Sequence, residues 1–487
     1  MTTDLGDADA NGANGQRDSD NDNDDDIEDF DAPPGITRAE AAKKPEPLFW
    51  NDEYREEMAD AAYEDEDEDE DEDGLGYVHT MGSPIVVKIS GRRRPVLRFH
   101  PVRSLEALRH DQVEVGPCFL AFKLTKTRSR LIRATLTQHG FVEMPEGSAE
   151  FNLHWSTSHV QPHQLKMLSM HQKVNHFPRS YELTRKDRLH VNIQRMQQLK
   201  GMRHFSFLPR TFLLPAELDE FHAEWARERG AWIAKPAAGS QGRGIFLVHH
   251  PKHVPSDTTL VLSQYIDNPL LVDGFKFDLR VYVAVTSYDP LRIYLFEDGL
   301  ARFATQKYDA SKAFLFDSFM HLTNYSLNKS SANYVACDQE DVEDYGNKWS
   351  LSALLRHLAK ADIDVPLLMA RMEDLIIKTV IAGELPIASA VRSFVPHHYN
   401  CFELYGFDIL IDGDLKPWLI EVNLSPALAC DAPLDFKLKS HLLADFFSLG
   451  QLSCSDVHAL PGERHKRKGS AYAQVCDSAG NWKGLIG

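Results

Sequence analysis

Asp408, Glu421 and Asn423 are oxygen-bearing side chains set in an otherwise apolar stretch between Phe402 and Asn423. Two apolar runs, ending at Ile411 and beginning at Trp418, flank Asp412-Gly413-Asp414-Leu415-Lys416-Pro417. An Asp-Gly step between strand-like runs signals a β-hairpin. Glu421 and Asn423 are two residues apart, so they share one side of a strand. A turn centred near Asp414 and Leu415 sets Asp408 opposite Glu421 on that side. Such hard oxygen donors suit Mg2+, which takes one or two carboxylates and completes its shell with water and nucleotide phosphates. The alternative is a solvated hairpin face. Against it stands the cost, on the order of several kcal/mol, of burying unpartnered carboxylates in so apolar a strand pair.

A second constellation is Trp232-Ile233-Ala234-Lys235-Pro236 followed by Ala237-Ala238-Gly239-Ser240-Gln241-Gly242-Arg243-Gly244. Glycines let backbone N–H groups approach phosphate, and Lys235 and Arg243 bring positive charge. The run lacks the Gly-Lys-Ser or Gly-Lys-Thr ending of a Walker A loop. It leads into strand-like Ile245-Phe246-Leu247-Val248, where a dinucleotide fingerprint requires a helix. A strand-loop-strand cover over phosphates fits, and an ordinary flexible hairpin is the alternative.

In a third stretch, Lys276, Asp278 and Arg280 alternate with Phe277, Leu279 and Val281. On a strand the three charges share one face and the apolar set packs behind. Taken alone this reads first as a salt-bridged, solvated face. Beside the glycine loop and the hairpin it becomes a site: Lys276 and Arg280 for phosphates, Asp278 for a ribose or an adenine amino group. Gln264, Tyr265 and Ile266 offer an amide and backbone groups to a base edge. Arg302 adds a cation, and His321-Leu322-Thr323-Asn324-Tyr325-Ser326 adds polar donors, with His321 either structural or catalytic.

Composition bounds the elements that must hold these groups. With 487 residues, 43% of them hydrophobic, the chain can bury two or three cores. The net charge of −19 is unevenly spread, because residues 1–73 carry 29 acidic and 5 basic side chains and leave the remainder at about +5. A mildly basic body favours an acidic partner. Six cysteines without paired metal-ligand spacing, and an acidic, polar N-terminus, predict a reducing cytosol with no signal peptide or disulfide scaffold. No apolar run reaches membrane-spanning length.

The expected organisation is α/β (α+β) in five segments: a disordered acidic arm (1–83), a small N-terminal α/β domain (84–183), a central domain (184–262), a C-terminal domain (263–449) and a tail with a short basic run (450–487). Helices are predicted over Arg188 to Leu199, Ala216 to Arg229, Trp349 to Ala359 and Val365 to Ile381. Arg92-Arg93-Arg94, Lys123, Lys126, Arg128, Arg130 and Arg133 form a candidate basic track, although any one of them by itself reads first as a solvated surface charge.

Taken in order, Asn175-His176-Phe177-Pro178-Arg179-Ser180, Thr184-Arg185-Lys186-Asp187, Lys235-Pro236, Lys276-Phe277-Asp278-Leu279-Arg280, His321 to Ser326, Gly406-Phe407-Asp408 and Glu421-Val422-Asn423 resemble the tubulin tyrosine ligase-like family. The resemblance runs from about Gln172 to about Leu443. Asn423 to Asp435 looks most like the polyglutamylase branch associated with α-tubulin. What the resemblance implies is an ATP-grasp fold and an ATP- and Mg2+-dependent ligase. Such an enzyme phosphorylates an acceptor glutamate side chain and lets the amine of free glutamate displace the phosphate.

The implied roles follow motif by motif. Lys235 and the Ser240, Gln241, Gly242, Arg243, Gly244 loop would hold ATP phosphates; Gln264, Tyr265 and Ile266 the adenine; Lys276 and Asp278 the nucleotide. Arg280 and Arg302 would meet the γ-phosphate, the acylphosphate and the substrate carboxylate, beside His321 and Asn324 as further catalytic candidates. Asp408, Glu421 and Asn423 would hold Mg2+. The implied partners are tubulin and microtubules through their acidic tails, with no nucleic acid. The implied location is the cytoplasm and cytoskeleton, including the cilium basal body or centriole. A glycine ligase, a glutamylase of other acceptors and a catalytically silent microtubule binder are the alternatives. Family glutamylases that grip microtubules continue into a basic helical segment. Here only Arg464-His465-Lys466-Arg467-Lys468 follows the core.

Overall fold

The computed structural model describes residues 85–87, 96–102, 120–237, 244–255, 257–309, 317–339, 341–452 and 482–486. The acidic arm, Arg92 to Arg94, the loop from Ala238 to Arg243 and the basic run at Arg464 lie outside them.

The architecture is mixed α/β, as the sequence predicts. An antiparallel pair, β1 (Ile85–Val87) and β2 (Val96–Arg98), comes first. A parallel sheet follows, of β3 (Leu120–Thr125), β4 (Phe141–Glu143), β5 (Leu153–Ser156) and β6 (Lys173–Val174), ordered β4-β3-β5-β6. An antiparallel sheet combines β7 (Thr211–Leu214), β8 (Trp232–Pro236), β9 (Phe246–Val248) and β10 (Leu260–Gln264), ordered β7-β10-β8-β9. The helix Leu218–Arg227 belongs to this sheet's core, in which Phe221 meets Trp232 edge-on.

A large seven-stranded sheet positions most of the site. It contains β11 (Leu271–Val272), β12 (Phe275–Tyr288), β13 (Leu291–Lys307), β14 (Lys348–Ser350), β15 (Glu403–Ile411), β16 (Pro417–Asn423) and β17 (Trp482–Ile486). Its main path is β14-β13-β12-β15-β16, with β11 on β12 and β17 on β13. Alternation on β12 sends Phe277, Leu279, Val281, Val283 and Val285 into one core. Tyr282 and Ala284, on the other face, join Phe122, Trp155 and Phe446 in a second core that includes the helix Pro433–Leu449. The parallel sheet thus shares its core with the large sheet, and the bridge from Val174 to Cys401 ties β6 to the segment that leads into β15.

The helices follow the expected amphipathic stretches, with one informative extension. The helix predicted to end near Ile381 runs as Val365–Phe394, straight through Pro386. Proline cannot donate to the carbonyl four residues earlier, here Ala382, and an orphaned buried carbonyl ordinarily stops a helix. Arg195, on the neighbouring helix Lys186–Lys200, donates its Nη2 to Ala382 O at 2.8 Å and replaces the missing partner. Gly383 then allows close contact: a Cβ there would stand 2.5 Å from Leu183 Cδ2.

Among the described residues, Cys337, Cys401 and Cys430 are free, and no helix is long and apolar enough to cross a membrane.

Candidate active site

Strand register brings the charged residues into a ladder. Asp278 on β12 faces Arg302 on β13, Arg280 on β12 faces Asp408 on β15, and Asp408 faces Glu421 on β16. Directly opposed residues share a face, so the charges expected on one side of β12 do gather there. Arg280 grips Asp408 through Nε (2.6 Å) and Nη2 (3.1 Å). Arg302 holds Asp278 through Nε (2.9 Å) and Nη2, and Nη2 also reaches Asp408 Oδ2 at 2.9 Å. Both arginines expected to meet phosphate or substrate are therefore held by aspartates. Gly406 makes room for this, because a Cβ there would lie 3.2 Å from Arg280 Cδ and 2.9 Å from Pro426 Cβ.

Asp408 is only 2% exposed. Burial pushes its carboxyl up, but Arg280 and Arg302 outweigh burial and hold it well below the usual carboxylate range. It is an anion at any physiological pH.

The hairpin forms as expected, and the pairing of Asp408 with Glu421 arises from two local features. The turn closes symmetrically about Asp414, since Ile411 pairs with Pro417 and Asp412 N donates to Lys416 O (3.1 Å). Leu415 takes φ +58, and Asp412 Oδ1 accepts from the amides of Asp414 and Lys416, both at 2.9 Å. That register alone would set Ile420 opposite Asp408. A bulge between Asp408 and Ile409 shifts it by one residue and brings Glu421 into line.

The groups converge on a cleft that opens to solvent. Leu208, Ile233, Leu410 and Leu419 give it apolar walls, and Lys235, Lys276, Asp278, Asp408 and Glu421 give it charge. Gln264, Tyr265, Ile266, His321 and Asn324 also line it. Arg280, Arg302 and Asn423 are not part of this lining, and the two arginines reach it through the aspartates they bind. Gly244, at φ +66, turns against the Pro236 ring, and Ser240 to Arg243 lie outside the described residues.

Lys235 and Lys276 are buried. Desolvation pulls Lys235 down to about 8, partly opposed by Glu421, and pulls Lys276 to about 7, partly opposed by Asp278. Two buried ammonium groups lining one cleft are only partly compensated by these carboxylates, and a polyphosphate would supply further negative charge.

For a cation, the cleft offers Asp408 and Glu421. The Asn423 amide nitrogen donates to Gly406 O (3.2 Å) and Glu421 Oε1 (3.4 Å), so its oxygen is the remaining ligating atom. Among the described residues no three His, Cys, Asp or Glu form a metal cluster. Two carboxylates and an amide suit a hard dication that keeps water and phosphate oxygens in its shell, and the residues fit Mg2+ on those terms.

Lys186 escaped the sequence assignments. Its Nζ lies 3.1 Å from Glu421 Oε2, at the first turn of its helix. The signal was its place in the Thr184-Arg185-Lys186-Asp187 motif. The basic track, by contrast, is broken. Lys123 is buried, donates to Ser148 O (2.9 Å) and packs over Phe151, while Arg133 is bidentate to Glu143 at 2.6 and 2.9 Å.

Residues 163–466 match the model of the tubulin-tyrosine ligase family. The chain is 54% identical over 374 residues to tubulin polyglutamylase TTLL5 of Mus musculus, covering 77% of this chain and 28% of the relative. It is 41% identical over 374 residues to tubulin polyglutamylase ttll-5 of Caenorhabditis elegans, covering 74% and 51% respectively. With tubulin monoglutamylase TTLL4 of Homo sapiens the identity is 38% over 346 residues, covering 70% and 29%. The chain thus spans about half or less of the length of these relatives. The matched region, well over half of the chain, takes in strands β11 to β16 of the large sheet, the antiparallel sheet and every charged residue of the cleft, and on that ground the chain belongs to the tubulin-tyrosine ligase family.

Proposed function

We propose that this chain carries an ATP-dependent carboxylate–amine ligase that joins free L-glutamate to glutamate side chains in tubulin tails, a tubulin polyglutamylase acting on the cytoskeleton. The observation that carries the reading is the cleft's gathering of charge: two buried lysines, Lys235 from the antiparallel sheet and Lys276 from the large sheet, line it together with the carboxylates of Asp278, Asp408 and Glu421, and Arg280 and Arg302 both bind Asp408. The names of the relatives supply the substrate class.

In this reading the fold is of the ATP-grasp type, with segments 184–262 and 263–449 enclosing the nucleotide. The apolar walls with Gln264, Tyr265 and Ile266 take the adenine. Lys235, Lys276 and the Ser240 to Gly244 loop take the phosphates, and Asp278 orients the nucleotide through the Arg302 pair. Asp408, Glu421 and Asn423 would hold Mg2+, which neutralises phosphate charge when bound.

The chemistry needs no protein nucleophile. An oxygen of the acceptor γ-carboxylate takes the γ-phosphoryl group and ADP leaves. The amine nitrogen of glutamate then attacks the carbonyl carbon, the C–O bond breaks with its electron pair on phosphate, and the amine gives up a proton. Arg280 and Arg302 stabilise the charge that builds on phosphoryl and carbonyl oxygens, an electrostatic contribution that grows in a water-poor site.

The test incubates microtubules with the protein, ATP, Mg2+ and equimolar glutamate, glycine and tyrosine, and reads tail peptides by mass spectrometry. Additions of glutamate, absent with Glu421→Gln, are expected. Glycine additions instead would reassign the amino-acid pocket, and no addition would overturn the ligase reading for tubulin.

A further inference from the structure

Tyr265, assigned to the adenine by sequence, has a second connection that the nucleotide does not explain. Its hydroxyl lies 2.9 Å from Lys276 Nζ and 2.9 Å from His321 Nδ1. Lys276 Nζ donates to His321 O as well, at 2.9 Å. The His321 ring is clamped edge-on between Tyr265 and Tyr308, with both centroid separations 5.6 Å. Tyr308 is itself anchored by its hydroxyl on Asp267 O at 2.9 Å. Three segments distant in sequence meet here: the end of β10, the start of β12 and the short helix Ser318–His321. Lys276, Tyr265 and His321 all line the cleft.

Proton inventory decides how this chain runs. A lysine ammonium only donates, so the Tyr265 oxygen must accept from Lys276. The hydroxyl proton then goes to its partner at 2.9 Å, His321 Nδ1, which must be unprotonated to receive it; the Tyr308 oxygen, whose own proton is on Asp267 O, is the competing acceptor. That leaves a neutral imidazole with its proton on Nε2. Burial keeps the Tyr265 phenol far above its ordinary range, so the hydroxyl retains its proton. A neutral Lys276 would allow the reverse order, with Nδ1–H donating to Tyr265. A phosphate in the cleft favours the charged ammonium and with it the first order.

We propose that Tyr265 is a positioning residue that relays the charge state of Lys276 to His321, fixing the Nε2–H tautomer when nucleotide phosphate is bound. His321 then meets ligand oxygens in the cleft as a hydrogen-bond donor. It is not the base that takes the proton from the attacking amine. The consequence for turnover rests on the ligase reading above, and the tautomer does not.

The experiment uses the full chain labelled with 15N-histidine and loaded with a non-hydrolysable ATP analogue. Long-range 15N–1H correlation spectra are recorded, with His321 assigned by its loss in His321→Gln. The expected His321 pattern is a neutral ring protonated on Nε2 alone. In Tyr265→Phe, which keeps the ring, the two nitrogens should average toward mixed tautomers. The same variant should lose about 10-fold or more in kcat while the KM for ATP stays within about two-fold. A wild-type ring protonated on Nδ1 or on both nitrogens would overturn the proposal. So would a Tyr265→Phe spectrum identical to wild type. A fixed Nε2–H tautomer in a protein that adds no amino acid to tubulin would leave the relay standing and remove the proposed function.

Discussion

At the scale of single residues, Lys235 and Lys276 are charges held where charge is costly, and their depressed pKa values make a stability statement. A folded-state lysine at about 7 or 8 releases its proton before the unfolded chain does, near 10.5. Between those limits the unfolded state binds more protons. Stability of the nucleotide-free protein should therefore rise as pH climbs from about 7 toward 10, and a bound ATP analogue should flatten that rise. In Lys276→Met, thermal melts should show a nucleotide-free protein at least as stable as wild type, with a smaller pH slope and most of the ATP-dependent shift lost. Asp408 and Glu421 should separate in the same assay. Asp408→Asn strips a counter-charge from two buried guanidinium groups and should cost about 3–5 kcal/mol. Glu421→Gln breaks a partly exposed pair with Lys186 and should cost about 1 kcal/mol or less. Activity should fall by about 100-fold or more in both. Equal destabilisation would show that Asp408 is not the centre of the ion-pair network.

Among the elements, the Val365–Phe394 helix offers the sharpest test, because its continuity through Pro386 depends on Arg195. Arg195→Met keeps the aliphatic stem and leaves Ala382 O unpaired, which should cost about 1–3 kcal/mol in denaturant unfolding. Pro386→Ala restores a backbone donor, so in that background Arg195→Met should cost about 1 kcal/mol less. Additive losses would mean that the guanidinium does not replace the missing amide. Gly383→Ala, on the same helix, drives a methyl into Leu183 and should cost about 1–3 kcal/mol.

For the molecule as a whole, charge is the property to test. The chain carries −19, and residues 1–73 account for more than all of it, leaving about +5 for the rest. If the partner is an acidic tubulin tail, removing residues 1–73 should tighten binding of a tail peptide at low ionic strength and steepen its weakening by salt. An unchanged affinity would make that segment electrostatically silent toward the partner. The body does not present its basic residues as one track, since Lys123 and Arg133 have internal partners. A neutralising substitution at Arg128, which is exposed, should therefore change peptide affinity by less than about two-fold.

Sequence by itself determined what depends on neighbours along the chain. Period-two alternation placed Lys276, Asp278 and Arg280 on one face, the Asp-Gly step made the β15–β16 hairpin, and the ordered motifs named the family. Tertiary structure decided who pairs with whom. Arg280 and Asp408 are 128 residues apart, and their salt bridge follows from β12 and β15 lying side by side, which neither stretch encodes alone. The Asp408–Glu421 register needed a bulge, Pro386 needed an arginine from another helix, and Tyr265 met His321 across 56 residues. Local periodicity fixes the face on which a side chain stands. The partner on that face is chosen by global packing, because a buried charge or carbonyl must be satisfied by whatever the folded chain brings within hydrogen-bond distance.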